Sequence, residues 1–183
     1  MNRDATDSLE TPSHARGMHA SIPADRWCVS YQDLKFLRRD VKRALKQNSI
    51  QPTASDVFDV ADRAHGPNMY SLNEQYIKPV TRDAGMMSWA LMRNPQGLPC
   101  DLFISHAWEE AIFEFLLKVM DSWPTGLLHA WCCILANPQN LDIASLLQSP
   151  SESPFAVALH ACDIVLVVPN RHRRSPQPHV SLF

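Results

Sequence analysis

The spacing of apolar residues changes along this chain, from intervals of three and four to short unbroken runs. The first pattern predicts an amphipathic helix over 31–47, with Ser30 as its capping residue and Asp33 near its positive end. Shorter helices are predicted over 54–64 and 84–94. The apolar stripe of the first helix consists of Leu34, Leu37, Val41 and Leu45.

Local signals divide this first part of the chain further. Ser71 and Glu74 have the spacing of a capping box, and Pro79 is expected to end the short helix that they begin. Residues 1–26 are polar and have no apolar period, which predicts a disordered leader. We therefore expect a leader at 1–26 and a mostly helical extension over 27–99.

From Cys100 onward, apolar runs of strand length alternate with helical periods. DLFISHAW, LLHAWCCILA and DIVLVVPN predict three strands, and EEAIFEFLLKVMDSW and SPFAVALHAC predict the intervening helices. Unbroken apolar runs are typical of parallel strands buried on both faces. The alternation predicts an α/β domain over 100–170 with helices on both sides of a doubly wound sheet. The basic, Pro-rich residues 171–183 predict a disordered tail.

Composition narrows the range of partners and locations. The net charge of −2 does not indicate a nucleic-acid-binding protein, and 45% hydrophobic residues support a folded core. Five cysteines without a framework spacing favour a reducing compartment. No apolar run approaches the roughly 20 residues that span a bilayer. The sequence therefore predicts a cytoplasmic protein without a membrane or nucleic-acid partner.

The His and Cys residues near the strands do not have the spacing of a metal site. Cys132 and Cys133 are neighbours on a predicted strand, so their side chains face opposite sides of it. Zinc sites prefer cysteines separated by about two residues in a turn. We therefore predict no metal site and expect buried cysteines that act as small hydrophobic residues. The residues considered are His129, Cys132, Cys133, His160 and Cys162.

Taken together, the motifs of Asp101–Asn170 resemble those of Toll/interleukin-1 receptor (TIR) domains. DLFISHAWEE is similar to their first strand and loop, HAWCCILANPQNLDI to their second strand and the loop after it, and SPFAVALHACDIVLVVPN to their second helix and third strand. The resemblance covers about 70 of the 183 residues. It implies a partial flavodoxin-like, three-layer α/β unit with parallel strands in the order 2-1-3. Many members of the family associate with one another, and some hydrolyse NAD+.

Two loops hold the candidate site residues. The carboxyl end of the first strand is the edge where doubly wound sheets bind ligands, and the ligand-cleft candidates there are Ser105, His106, Trp108, Glu109 and Glu110. The resemblance implies self-association through the loop after the second strand, with the candidates Asn137, Pro138, Gln139 and Asn140. Each candidate has a structural alternative. Ser105 and His106 could form only a turn, and Trp108 could fill the space between loop and helix. The two Glu residues could be solvated first-turn acids, and the loop after the second strand could be an ordinary polar connection.

In NAD+-cleaving members of the family, the catalytic Glu lies in a Trp-Cys-x-x-Glu motif after the third strand. No Trp follows Trp131 and no Glu follows Glu152, so we predict no catalytic residue. We expect the chain to stop before that part of the domain, through splicing, a frameshift or an incomplete gene model. Ile164–Val168 would then be an exposed edge strand, prone to pairing or aggregation.

Three hypotheses remain open from the sequence. The first is a TIR-like signalling or protein-interaction module without catalysis, whose partners are other TIR-like domains or a second copy. The second is an NAD+ hydrolase (an NAD+ nucleosidase) that needs a complementing chain or a longer isoform. The third places the function in the helical extension, with the α/β part as scaffold. We predict no bound cofactor, and NAD+ enters only as a ligand or substrate through the resemblance.

Overall fold

A computed structural model of the chain describes residues 4–142 and 149–169. Predictions for Asn170 and the basic tail lie outside these residues. In chain order the elements are α1 (Asp4–Ser21), a 3-10 helix (Ala24–Arg26), β1 (Val29–Ser30), α2 (Tyr31–Lys46), α3 (Met69–Leu72), a π-helix (Asn73–Ile77), α4 (Lys78–Asp83), α5 (Trp89–Arg93), β2 (Leu102–Ser105), α6 (Ile112–Asp121), β3 (His129–Cys132), α7 (Cys133–Ala136), α8 (Pro154–Ala161) and β4 (Ile164–Val167).

The four strands form one mixed sheet in the order β1-β3-β2-β4. β2 pairs in parallel with β3 on one side and with β4 on the other, so Phe103 lies opposite both Trp131 and Val165. The three predicted strands therefore have the predicted parallel order, with the first between the second and the third. β1 adds an antiparallel edge beside β3. Two residues are too few to show a period, so the hydrophobic pattern did not reveal this strand.

Side chains of the central strand alternate between two hydrophobic clusters. Leu102 and Ile104 belong to the larger core, together with side chains of α2 and α6. Phe103 belongs to the smaller core, which contains Trp27 and Ala158. Because neighbouring residues of a strand face opposite sides of the sheet, other elements cover both faces of the sheet at β2. The architecture is mixed α/β, as the alternation of strands and helices predicted.

α2 has the bounds and the cap that the sequence predicted. The Ser30 hydroxyl accepts a hydrogen bond from the Asp33 N–H, and the Asp33 carboxylate accepts one from the Ser30 N–H. The same carboxylate accepts hydrogen bonds from Arg93 Nε at 3.1 Å and Asn94 Nδ2 at 3.0 Å. The cap therefore also connects α2 to the end of α5. In α8, Ser153 caps the helix by accepting a hydrogen bond from the Ala156 N–H.

The predicted disordered leader is wrong for the segment that forms α1 and the 3-10 helix. Ala15 is fully buried, and His19 accepts a hydrogen bond from the Ser88 N–H at 3.0 Å through Nε2. The ring of His19 meets Trp27 edge-on, with 4.4 Å between ring centroids. Single buried residues, rather than a periodic apolar face, hold this helix to the fold, so the hydrophobic pattern did not reveal it.

The helix predicted over 54–64 is also wrong, because turns occupy this segment. Asp59 accepts a hydrogen bond from the Ala61 N–H at 2.8 Å, and Asp62 accepts one from the Ala64 N–H at 2.7 Å. Such side-chain bonds to nearby backbone compete with helical hydrogen bonds. The aspartates thus outweigh the weak apolar spacing of this segment.

The predicted capping box at Ser71 and the helix end at Pro79 are wrong as well. Asn68 caps α3 by accepting the Ser71 N–H at 2.9 Å, so Ser71 lies inside the helix. The chain then passes through a π-helical turn, in which the Lys78 N–H bonds to the Asn73 carbonyl five residues earlier. Pro79 follows in the first turn of α4, where its missing N–H is tolerated.

Two further predictions need narrower bounds. The helix predicted over 84–94 is reduced to α5, which begins after Ser88 caps the Leu91 N–H. The second predicted strand ends at Cys132, and the rest of its apolar run forms the helical turn α7.

The division between the extension and the α/β part at residue 100 does not separate two cores, since Leu34 and Trp89 share the larger core with Leu102. Within the described residues, no helix is long and apolar enough to cross a bilayer.

Candidate functional site

The predicted ligand-cleft residues follow β2 at the carboxyl edge of the parallel strands. Ser105 is exposed and pairs with Val167 through the backbone, and its carbonyl accepts the Val168 N–H at 2.9 Å. Glu109 is exposed, whereas His106 and Trp108 are partly buried. The loop therefore leads from β2 to α6 and brings only part of the predicted set to the surface.

His106 forms a pair with Cys133, which the sequence analysis did not place at this site. His106 Nδ1 lies 3.2 Å from the Ala107 carbonyl, and Nε2 lies 3.2 Å from Cys133 Sγ. A carbonyl oxygen only accepts, so Nδ1 carries the hydrogen and Nε2 accepts the Cys133 S–H. Adjacent strand residues cannot form such a pair. His106 and Cys133 can form a hydrogen-bonded pair because α7 begins at Cys133, beside the loop after β2.

The His106–Cys133 pair is neutral. Burial lowers the pKa of His106, and burial raises the pKa of Cys133 to about 11. A thiol that keeps its proton at neutral pH is a weak nucleophile. The hydrogen bond therefore ties the loop after β2 to α7 and does not form an activated thiolate.

Trp108 fills the space between this loop and the helical region. Its ring lies 5.2 Å from that of Tyr70, and its backbone carbonyl accepts the Met69 N–H at 3.1 Å. The side chain also packs against both hydrophobic cores. These contacts agree with the space-filling alternative that the sequence left open.

Glu110 differs most from its sequence-based interpretation as a solvated first-turn acid. Its side chain is buried, and Lys118 Nζ lies 2.6 Å from Oε1. Burial raises the pKa of Glu110, although Lys118 opposes this effect. Lys118 also donates to the Pro169 carbonyl at 2.8 Å, just beyond β4. Among the described residues, Oε2 of Glu110 has no hydrogen-bond partner. A buried carboxylate thus lies at the sheet edge with one oxygen uncommitted.

The predicted self-association loop is bound to the chain's own helices where the structure describes it. Asn137 and Pro138 are buried. Gln139 donates to the Cys133 and Ile134 carbonyls, each at 3.3 Å. Asn140 Nδ2 donates to the Lys78 carbonyl and the Thr81 hydroxyl, both at 2.8 Å. These side-chain amides attach the loop to α4 and α7. The continuation at 143–148 lies outside the described residues.

β4 presents the exposed apolar edge that the sequence predicted. Ile164 is 43% exposed, Val165 46% and Val167 68%. One side of the strand pairs with β2, and no described strand pairs with the other. Leu166 alone packs against the larger core.

No metal centre is formed within residues 4–142 and 149–169, where no three His, Cys, Asp or Glu side chains come together to hold an ion. Comparisons with protein-family models, with curated proteins and with solved structures find no match for this chain. The residues of the site are therefore the basis for assigning a function.

Proposed function

We propose that this chain is a TIR-like protein-interaction module that associates through the free edge of β4. The observation that carries this proposal is the exposure of Ile164, Val165 and Val167 beside an edge that no described strand covers. The parallel order of β3, β2 and β4 supports the resemblance. In a flavodoxin-like sheet of that order, the third strand is an interior strand with neighbours on both sides.

The chemistry of β4 favours pairing with another strand. Proteins usually protect edge strands with charges, Pro or bulges, but Ile164–Val167 contains neither a charge nor a Pro. A partner strand would satisfy the free backbone groups and cover the exposed side chains, as in strand addition to a sheet edge. The partner is a second copy or another TIR-like domain. The loop at 137–140 is the weaker candidate for this contact, because its amides already bond within the chain.

Substitution of Val167 by Lys tests the proposal. Lys at this 68% exposed position should repel a partner strand without opening a core. Val167 is a better target than Leu166, whose replacement would disturb the larger core. The matched control is Val57→Lys, at a 78% exposed valine in the turns before α3. Sedimentation velocity over a wide concentration range should show association of the unmodified protein and of Val57→Lys, with less association in Val167→Lys. A protein that stays monomeric at every concentration would contradict pairing with a second copy of this chain.

A second candidate function, NAD+ hydrolysis, is favoured by one observation, the buried Glu110 with an uncommitted oxygen at the sheet edge. Cleavage of the nicotinamide–ribose bond develops positive charge on the sugar, which a carboxylate stabilises. We favour the interaction module because Lys118 already neutralises Glu110 and the sequence contains no Trp-Cys-x-x-Glu motif. A complementing chain or a longer isoform would have to supply the family's glutamate.

Release of nicotinamide from NAD+ separates these two functions. An interaction module should give no turnover, alone or at concentrations where it associates. Turnover that is lost in Glu110→Gln and retained in Glu109→Gln would establish the hydrolase instead. Glu109 is the matched control because it is the adjacent acid and is exposed.

A further inference from the structure

A basic groove lies between α2 and α6. The groove is open to solvent and has a volume of about 710 Å³, which is within the range of small-molecule sites. Its walls include the exposed Leu117 and a single acidic residue, Asp121. The cations that line it all come from α2 and are Lys35, Arg38, Arg39, Lys42, Arg43 and Lys46. The sequence analysis treated these residues only as the polar faces of an amphipathic helix.

Most of these cations have no acidic partner. Among the described residues, only Arg43 forms an ion pair, with Asp40. Lys35 and Arg39 lie over the rings of Tyr31 and Phe36, at 4.7 and 5.1 Å from the ring centroids. Contacts with aromatic rings orient a cation but leave its charge uncompensated. The groove therefore has a concentrated positive charge.

Two observations indicate that these charges are poorly compensated inside the groove. The pKa of Lys42 is lowered, first by burial and then by the neighbouring charges of Arg38, Arg63 and Lys46. In the part of the chain that the structure describes, the buried Nε of Arg38 has no hydrogen-bond partner. Like charges at helical spacing destabilise a helix. A bound anion would remove this repulsion by compensating the charges of the neighbouring cations.

The distribution of charge favours a compact anion over an extended one. The helix α2 holds six of the 17 Lys and Arg residues but only two of the 19 acidic residues, so the rest of the chain is net acidic. A nucleic-acid strand that extended beyond the groove would meet a part of the chain that is net acidic. From Lys35 to Lys46 the cations span about 16 Å of helix, which matches a short chain of phosphate groups. Arginine forks bind phosphate oxygens in pairs, and lysines add point charges.

We propose that the groove between α2 and α6 binds a small ligand with several adjacent phosphate groups. Arg38 and Arg39 supply paired donors, Lys42 and Lys46 neutralise charge, and Leu117 offers an apolar surface to whatever carries the phosphates. This site is separate from the β4 edge and does not depend on association through that strand.

Calorimetric titration with inorganic tripolyphosphate and with ATP, at physiological ionic strength, tests the proposal. Both should bind, whereas orthophosphate should bind far more weakly because it reaches fewer cations. Equal affinities for tripolyphosphate and ATP would show that phosphates alone are recognised, and tighter binding of ATP would show a further contact with the nucleoside. Either result supports the proposal.

Substitutions distinguish the groove from general surface charge. Arg38→Gln and Arg39→Gln should each weaken tripolyphosphate binding by about tenfold, the effect of losing one charge-assisted hydrogen bond. Arg39 is exposed, so its replacement leaves the fold intact even if that of Arg38 does not. The matched control is Arg82→Gln, at an exposed arginine of α4 outside the groove. The proposal is overturned by absence of tripolyphosphate binding, by equal weakening in Arg82→Gln, or by tighter binding of single-stranded RNA than of tripolyphosphate.

Discussion

His19 makes the stability of this protein sensitive to pH. Its Nε2 accepts the Ser88 N–H, which requires the neutral ring, and burial lowers the pKa of His19 from 6.5 to about 4. Below pH 6.5 the unfolded chain binds a proton at this residue that the folded chain excludes. The contribution of His19 to stability is therefore present above pH 6.5 and is lost as the pH falls towards 4.

We predict that this loss amounts to about 3 kcal/mol of unfolding free energy between pH 6.5 and pH 4. Urea unfolding across this range measures it. His19→Asn should weaken the pH dependence, whereas replacement of the exposed His14 by Asn should leave it unchanged. An identical pH dependence in both variants would show that other groups cause it.

Local patterns also explain which residues of the candidate site the sequence could locate. The strand-end rule placed Ser105 and His106 at the correct edge of the sheet. It could not show that Glu110 is buried, because that burial depends on Lys118 and on the end of β4, far along the chain. Nor could it pair His106 with Cys133, since the chain had first to turn from β3 into α7.

At the scale of elements, helices with their own caps and apolar periods were predictable. α2 satisfies both conditions and α8 has its own cap, and both have nearly their predicted bounds. α1 has no recognisable apolar period, and β1, which is only two residues long, pairs with the edge of β3. The helix prediction for residues 54–64 failed because aspartate side chains compete locally for backbone N–H groups. Sequence thus predicts elements whose stabilising contacts are local, and it misses those held by distant partners.

The cap of α2 provides a prediction at this scale. Ser30→Ala removes the hydroxyl that accepts the Asp33 N–H and should lower the unfolding free energy by about 1 kcal/mol. Gln32→Ala, at an exposed position in the same first turn, should leave stability nearly unchanged. Chemical denaturation measures the difference in unfolding free energy between the variants, provided that this free energy falls with denaturant concentration at the same slope in each. A cost for Ser30→Ala no larger than that for Gln32→Ala would show that the cap contributes little.

At the scale of the whole molecule, the helical extension and the α/β part share one core. Leu34, Trp89 and Phe115 all belong to the larger core, and β1 pairs directly with β3. The helix that lines the basic groove is therefore also the helix that covers one face of the sheet. A ligand bound to α2 would stabilise the whole fold, because it would bind the folded chain and not the unfolded one.

Because the core is shared, the fragment 100–183 should not fold by itself. Eight large, almost fully buried side chains of the larger core would be lost with residues 1–99, namely Leu34, Leu37, Leu45, Ile50, Met69, Leu72, Ile77 and Trp89. At about 2 kcal/mol each, they contribute about 16 kcal/mol, which is as large as the entire stability of a typical domain at about 5–15 kcal/mol. The full chain should show one cooperative transition by both circular dichroism and tryptophan fluorescence, and the fragment should show none. A cooperative transition in the fragment would instead establish that the α/β part is an independent domain.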